Sequence, residues 1–338
     1  MTLLEGHQKD LNDSKKKLER DDFDSGGIGI IGVGGWGKNH ARVLAEMGVL
    51  KAICDMDIMK AKSLGEKYNV DSFASVDEMI NTKKLDGCLV CTPTKTHHLV
   101  SKKLMENKIN VFVEKPLSYS FKECEEMIKT AKKNKVVLTC GYIERFNPAV
   151  RDVKKILSEK TYGEVLMMEF HRENRMPLHI KDVGIIYDTA VHDIDTAMYF
   201  FGIKPQVVFA RAGNIFHSFE DFSTIILGFG VDKVAVISSN WITPKKVRKF
   251  SVVCTEGIIN GDFIKQEITV EDSGSSITPR RTNLVEPLSL ELKNFVDVTK
   301  GKITDPEVSS REAANVTKIA EAALLSSKTG SPIYLNLE

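Results

Sequence analysis

No apolar run in this 338-residue chain approaches the about 20 residues that a membrane span needs, so no membrane partner is expected. An excess of charge is lacking as well. Lys and Arg number 47 against 46 Asp and Glu, a net charge of +1, so no global field recruits nucleic acid. The local basic clusters at 15–17 and 245–249 read as solvated faces rather than binding patches. The six cysteines (Cys54, Cys88, Cys91, Cys124, Cys140 and Cys254) lack the second C-x-x-C pair that a zinc site needs. Cys88 and Cys91 have the spacing of one such pair, but they lie in an apolar run where i and i+3 point to opposite faces of a strand. Reduced thiols and no metal site follow. The cationic, apolar, small-residue pattern of a secretion signal is also missing, and residues 1–25, dominated by charge, read as a flexible tail. No internal repeat is visible. What remains is a cytoplasmic, soluble chain long enough for two domains, each with its own core.

The most informative segment present is Gly32-Val33-Gly34-Gly35-Trp36-Gly37, between the apolar run 28–31 and the helix-like stretch 38–47. In a dinucleotide-binding turn Gly32 permits the tight strand-to-helix turn, Gly34 lets the backbone approach a pyrophosphate, and Gly37 allows close helix–strand packing. Trp36 belongs to the same turn and is counted with the cofactor-binding residues. Asp55 ends the next apolar run, at about the 20-residue offset where a carboxylate accepts the ribose hydroxyls and repels a 2'-phosphate. NAD is therefore expected over NADP. Glycine-rich turns also occur as plain loops; the flanking strand, helix and acid favour the cofactor reading.

From residue 26 short apolar runs alternate with amphipathic stretches. Strands are predicted at 28–33, 50–54, 72–74, 85–91, 110–113 and 136–140, with helices at 38–47, 58–68, 76–81, 96–107 and 121–133. Such alternation predicts an α/β doubly wound parallel sheet, a Rossmann domain over 26–145. After a helix from 148 to about 160 the pattern changes to strands at 164–172, 206–212, 222–229, 233–241, 250–254 and 267–270, punctuated by turns. Residues 146–338 are thus predicted to form an α+β domain with a largely antiparallel, open-faced sheet. Helices at 190–201, 288–299 and 311–328 are expected to cover one face of it. A substrate pocket between the domains follows, and the sheet's outer face is free to build a homo-oligomer, a dimer or tetramer.

Ligands of open parallel sheets bind beyond the carboxyl ends of the strands. There the strand 85–91 runs into Thr92, Pro93, Thr94 and His97, and the strand 110–113 into Glu114-Lys115-Pro116. These segments are placed along the cofactor's nicotinamide half. Thr92 to Thr94 also suits an ordinary turn and helix cap, and Lys115 a surface lysine, although a following proline locks it at the strand end. Asp188, His192 and Asp195, spaced by four and three, would share one helix face. Flanking carboxylates would fix the tautomer and raise the pKa of an imidazole, which suits a general base. A capping Asp188 and a structural histidine remain the alternatives.

Taken in order, the glycine turn, Asp55, Thr92-Pro93-Thr94 with His97, Glu114-Lys115-Pro116, and Asp188 with His192 resemble the glucose-fructose oxidoreductase / inositol dehydrogenase (Gfo/Idh/MocA) family from about residue 26 onward. The resemblance implies a nicotinamide-dependent sugar or polyol oxidoreductase in which Lys115 and His192 flank the reacting carbinol, His192 as base oriented by Asp188. Within the family, Arg145-Phe146-Asn147-Pro148 is similar to a segment of nucleotide-sugar 3-dehydrogenases. His171-Arg172-Glu173-Asn174-Arg175 and Asn240-Trp241 with Thr243-Pro244-Lys245-Lys246 are similar to segments of UDP-N-acetylglucosamine 3-dehydrogenases. Tyr142 stands where many relatives carry histidine. This resemblance implies a nucleotide-sugar substrate held by Arg145, Asn147, His171 and Arg175, since guanidinium forks suit a diphosphate, and coupling to an aminotransferase that consumes the ketone. An inositol or polyol dehydrogenase and a non-catalytic NAD- or sugar-binding regulator are the competing readings.

Overall fold

The computed structural model describes residues 26–177, 180, 182–277 and 285–337, so the predicted tail at 1–25 lies outside the described residues. The first half builds β1 (Gly27–Ile31), α1 (Gly37–Glu46), β2 (Leu50–Cys54), α2 (Ile58–Tyr68), β3 (Asp71–Phe73) and α3 (Val76–Thr82). It continues with β4 (Leu85–Val90), α4 (His97–Glu106), β5 (Asn110–Glu114), α5 (Phe121–Asn134) and β6 (Leu138–Gly141). All pairings are parallel, in the order β3-β2-β1-β4-β5-β6. β1 is buried along its whole length because helices cover both faces of the sheet. Strand order reverses between β1 and β4, and the crevice at that switch point receives ligands. Local signals set the element ends: Asp57 caps α2 by accepting from Met59 N, Ser120 caps α5, and Asn69 takes the left-handed conformation after α2.

The second sheet contains β7 (Val165–Glu173), β8 (Val207–Gly213), β9 (Phe222–Phe229), β10 (Lys233–Asn240), β11 (Val247–Cys254), β12 (Gly257–Asp262), β13 (Glu267–Asp272), β14 (Ser275–Ile277) and β15 (Ile333–Tyr334). Its order is β14-β13-β12-β11-β7-β10-β9-β8-β15, antiparallel except for the β7–β10 pair. Burial alternates along β9, so one face is packed and the other open. The helices α6 (Pro148–Ser158), α7 (Val191–Phe201) and α9 (Ser310–Thr329) lie on the packed side, and Ala313, Ala314, Ala320 and Ala323 let α9 sit close.

Helix α8 (Pro287–Thr299) corrects the sequence expectation. It was predicted to cover the second sheet, yet Leu288, Leu292, Phe295 and Val296 join the core formed by Ile28, Ile30 and Phe112 of the first. The Phe295 and Phe112 rings lie 5.7 Å apart, over Gly87 of β4, where a Cβ would come within 2.9 Å of the Phe295 ring. An apolar stripe shows that a helix is buried, not which sheet it covers. β12, absent from the predicted strands, pairs along its length with β11.

Candidate active site

Each glycine of the first turn meets a separate physical demand. Gly32 has φ +85°, and a Cβ there would sit 2.7 Å from the Cys91 carbonyl oxygen. At Gly37 the Cβ would approach Gly32 O to 1.9 Å, whereas nothing lies within 4 Å of the position at Gly34. The first and last glycines therefore serve the fold, and the middle one borders open space that a pyrophosphate can enter. The first turn of α1 carries no acidic residue, so its N–H groups present unopposed positive potential. Trp36 is the half-exposed residue before α1. Asp55 Oδ2 accepts from Val33 N at 2.8 Å and Oδ1 from Asp57 N at 2.9 Å, which ties the end of β2 to the glycine turn. These residues fit a dinucleotide.

The next two strand ends are braced together. His97 is buried, with Nε2 2.8 Å from Thr92 O and Nδ1 2.9 Å from Pro116 O. Predicted as a cofactor contact, its ring instead lies between two backbone carbonyls, donates to the one its tautomer selects, and packs the two loops together. Burial lowers its pKa, against the pull of those carbonyls. Thr94 is also buried, while Thr92 Oγ1 accepts from Thr96 Oγ1 at 2.8 Å beside Pro93. Glu114 accepts from Lys115 N at 3.0 Å and pairs with the buried His40 at 2.7 Å. Burial pushes the Glu114 carboxyl up, but the His40 bond and Lys115 outweigh it and hold it below its ordinary value. His40 escaped sequence reasoning; its placement in the helix directly after the glycine turn was the available signal.

Lys115 reaches across the cleft, its Nζ lying 2.7 Å from Asp188 O and 2.8 Å from Asp188 Oδ1, with 10% of the side chain exposed. Asp188 lies in a π-helical turn (Ile186–Ala190) that leads into α7. Such turns widen the helix locally and recur at functional sites. The other Asp188 oxygen accepts from Thr189 Oγ1 at 3.0 Å. His192 follows in the first turn of α7, its Nδ1 buried without a hydrogen-bond partner. The Tyr142 ring meets the His192 ring edge-on at 6.3 Å, and the Tyr142 hydroxyl is likewise buried and unpartnered.

Asp188 holds Lys115 through its carbonyl and Oδ1. Two expectations are corrected at this point. Asp195 was expected on the same face as His192, but its carboxylate binds Arg145. The pKa of His192 was expected to rise, yet it falls well below the ordinary value through burial and the facing charges of Lys115, Arg172 and Arg248. The imidazole is therefore neutral, with a lone pair free to take a proton.

Of the predicted substrate residues, Arg145 is 2% exposed and held by protein acceptors: Nε and Nη2 donate to Asp195 at 2.7–3.2 Å, and Nη1 to Glu312 at 2.9 Å and Glu307 O at 3.2 Å. Of its five N–H groups only one, on Nη2, is left without a protein acceptor, too little for a bidentate grip on a diphosphate. Asn147 caps α6 through Ala149 N and donates to Glu144 and Phe263 O, so it is structural too. His171 projects from the open face of β7, opposite to the buried Phe170 and Arg172, and Arg175 is exposed beyond that strand. These residues are not brought together. In their place the fold turns inward two arginines outside the predicted set. Arg172, 1% exposed, binds Asp193 at 2.8–3.1 Å and Glu144 at 2.9 Å, and Arg248 is its cross-strand neighbour.

Comparison with known proteins agrees with this geometry. Residues 27–142 match the oxidoreductase family NAD-binding Rossmann fold of GFO_IDH_MocA, and residues 150–260 the GFO/IDH/MocA C-terminal domain. A scyllo-inositol 2-dehydrogenase (NAD(+)) of Bacillus subtilis is 27% identical over 91% of this chain and 96% of its own length. The UDP-N-acetylglucosamine 3-dehydrogenase of Acidithiobacillus ferrooxidans is 24% identical over 74% of this chain and 78% of its own length. Its solved structure superposes with a TM-score of 0.82 at 21% identity, covering 89% of this chain and 97% of that one. A 2,7-anhydro-N-acetylneuraminate hydratase of Mediterraneibacter gnavus is 26% identical over 58% of this chain, which spans about half (54%) of that relative. With both family domains matched in order, and an NAD-binding fold first, the chain belongs to the Gfo/Idh/MocA oxidoreductase family.

Proposed function

We propose that the protein is an NAD-dependent dehydrogenase that oxidises the C3 hydroxyl of a UDP-sugar, with UDP-N-acetylglucosamine the foremost candidate. The observation that carries the reading is Lys115 Nζ held at 2.8 Å by Asp188, beside a His192 kept neutral by its surroundings. NAD, when bound, accepts the hydride. An alcohol releases hydride only as its O–H proton leaves. His192 takes that proton, and the Lys115 ammonium donates a hydrogen bond to the same oxygen and stabilises its developing charge. Asp188 aims Lys115, so it is a positioning residue. The match to a UDP-N-acetylglucosamine 3-dehydrogenase over 74% of the chain supports the substrate assignment. An aminotransferase that consumes the ketone would draw the reaction forward, and a second copy of the chain on the open sheet face would complete a homo-oligomer.

A second reading, an inositol or polyol dehydrogenase, draws support from the longer match to the scyllo-inositol enzyme and from the sequestration of Arg145. Assaying UDP-sugars against free polyols by NADH absorbance separates the two. With UDP-N-acetylglucosamine deuterated at C3, an aminotransferase and an amino donor, label on the nicotinamide ring is expected. Faster oxidation of free inositol, or deuterium retained in the sugar during turnover, would defeat the UDP-sugar assignment.

A further inference from the structure

Strand pairing lines up Arg248 of β11, Arg172 of β7, Ser239 of β10 and Ser223 of β9 in one row across the second sheet. Residues directly opposite in a sheet point to the same face. Here it is the packed face, because Arg172, Ser239 and Ser223 are buried, and Arg172 binds Asp193 of α7, next to His192. The row is not internally satisfied. Ser239 Oγ, Ser223 Oγ and Arg248 Nε are all buried without hydrogen-bond partners. Arg172 has two carboxylates to itself, whereas Arg248 forms no ion pair among the described residues.

An arginine whose Nε is buried and unbonded is costly to keep. The cost is compounded by the company. Burial and Arg172 lower the Arg248 pKa, Arg248 and burial lower that of the exposed Lys246, and both arginines join Lys115 in lowering that of His192. Glu144, Asp193 and Asp188 face this group, and each already pairs with Arg172 or Lys115. One wall of the site is therefore short of negative charge.

We propose that Arg248, assisted by Lys246, is the substrate's oxyanion anchor, binding a phosphate or carboxylate substituent of the sugar whose carbinol meets Lys115 and His192. This deepens the nucleotide-sugar reading and rests on it for the identity of the sugar. The guanidinium fork matches two oxyanion oxygens, and Arg248 is the arginine of the row that no carboxylate among the described residues holds. Bound negative charge also offsets the cations facing His192, so the base gains proton affinity when the substrate arrives.

Pyrophosphate is the probe, titrated calorimetrically into NAD-saturated protein so that the cofactor's own phosphate cradle is filled. Arg248→Gln should weaken its binding about 10- to 100-fold, the scale of losing charge-assisted hydrogen bonds. Arg248→Lys, which keeps the charge but not the fork, should fall between, and unchanged NAD binding shows that both variants are folded. Equal pyrophosphate affinity in wild type and Arg248→Gln, or no binding by wild type, overturns the anchor. A second arm compares turnover of N-acetylglucosamine, its 1-phosphate and the corresponding uronic acid. The source is a phosphate if the 1-phosphate shows the greater KM increase in Arg248→Gln, and a carboxylate if the uronic acid does. Arg248-dependent pyrophosphate binding without oxidation of UDP-N-acetylglucosamine would sink the substrate reading and leave the anchor standing.

Discussion

At the Rossmann end of the cleft most of the polar groups named above are bonded to one another: Asp55 to Val33, Glu114 to His40 and Lys115, and His97 set between Thr92 O and Pro116 O, with His40 Nδ1 left unpartnered. At the second-sheet end buried polar atoms of His192, Arg248, Ser239 and Ser223 lack partners. The difference follows from what each end has to read. A pyrophosphate is held by backbone N–H groups at a turn and helix start, which the fold sets by itself. A reacting hydroxyl and a charged substituent need side-chain donors and acceptors left free until they bind. One half is a finished cradle and the other a site that its substrate completes.

Removing the chemistry without touching the cradle tests that division most severely. Lys115→Met and His192→Asn should each lower kcat about 10²- to 10⁴-fold, the usual contribution of a positioned acid–base group. NAD affinity, measured by fluorescence titration, should stay near wild type. Turnover of His192→Asn within a few-fold of the parent would remove the base assignment, and parallel loss of NAD binding would show that the two ends are not separable.

The buried arginines provide the next contrast. Arg145→Met leaves Asp195 buried without its cation, and breaking a buried pair from one side costs about 3–5 kcal/mol. Urea unfolding of Arg175→Ala, at an exposed position, should move by no more than about 0.5 kcal/mol. If Arg145→Met were as stable as Arg175→Ala but unable to bind UDP, Arg145 would be a ligand contact after all.

The legibility of these regions differed for a physical reason. The runs 50–54 and 58–68 coincide with β2 and α2 because parallel strands and their covering helices carry strong local periods. That same period-two rule, carried into β7 and β11, turns Arg172 and Arg248 inward in phase with Phe170 and Phe250, and His171 and Lys249 outward. Motif resemblance favoured His171, and alternation would have corrected it. Arg145 was beyond reach of such logic: it sits in a 3-10 turn (Ile143–Phe146), and Asp195 and Glu312 lie 50 and 167 residues away. The destination of α8 was hidden for the same non-local reason.

Cofactor choice probes the finished half. Asp55→Ser should weaken NAD about 10- to 100-fold by removing a charged acceptor from the ribose hydroxyls, and should relieve repulsion of a 2'-phosphate. The ratio of kcat/KM for NAD over NADP should fall accordingly. Should the ratio hold while both cofactors weaken together, Asp55 would act only through its bond to Val33 N, as a brace of the glycine turn.

The smallest expected effect is one of pH, and it measures the unfinished half directly. His192 is pushed well below its ordinary pKa by burial and by Lys115, Arg172 and Arg248. In the unfolded chain a histidine titrates near about 6.5. Below that pH the unfolded state binds a proton that the native state refuses, so unfolding becomes easier as pH falls toward the native pKa. Above it the residue adds no pH dependence. The limiting slope is about 1.4 kcal/mol per pH unit for one proton. Urea unfolding at about pH 7.5 and about pH 5.5 should therefore show a larger acid loss for wild type than for His192→Asn, since all other groups titrate in both proteins. Lys115→Met should lie between them, because it removes one of the three facing cations and lets the native imidazole accept its proton at a higher pH. Identical acid losses in wild type and His192→Asn would mean that His192 protonates as freely in the native protein as in the unfolded chain, and that the positive wall facing it is already neutralised without substrate.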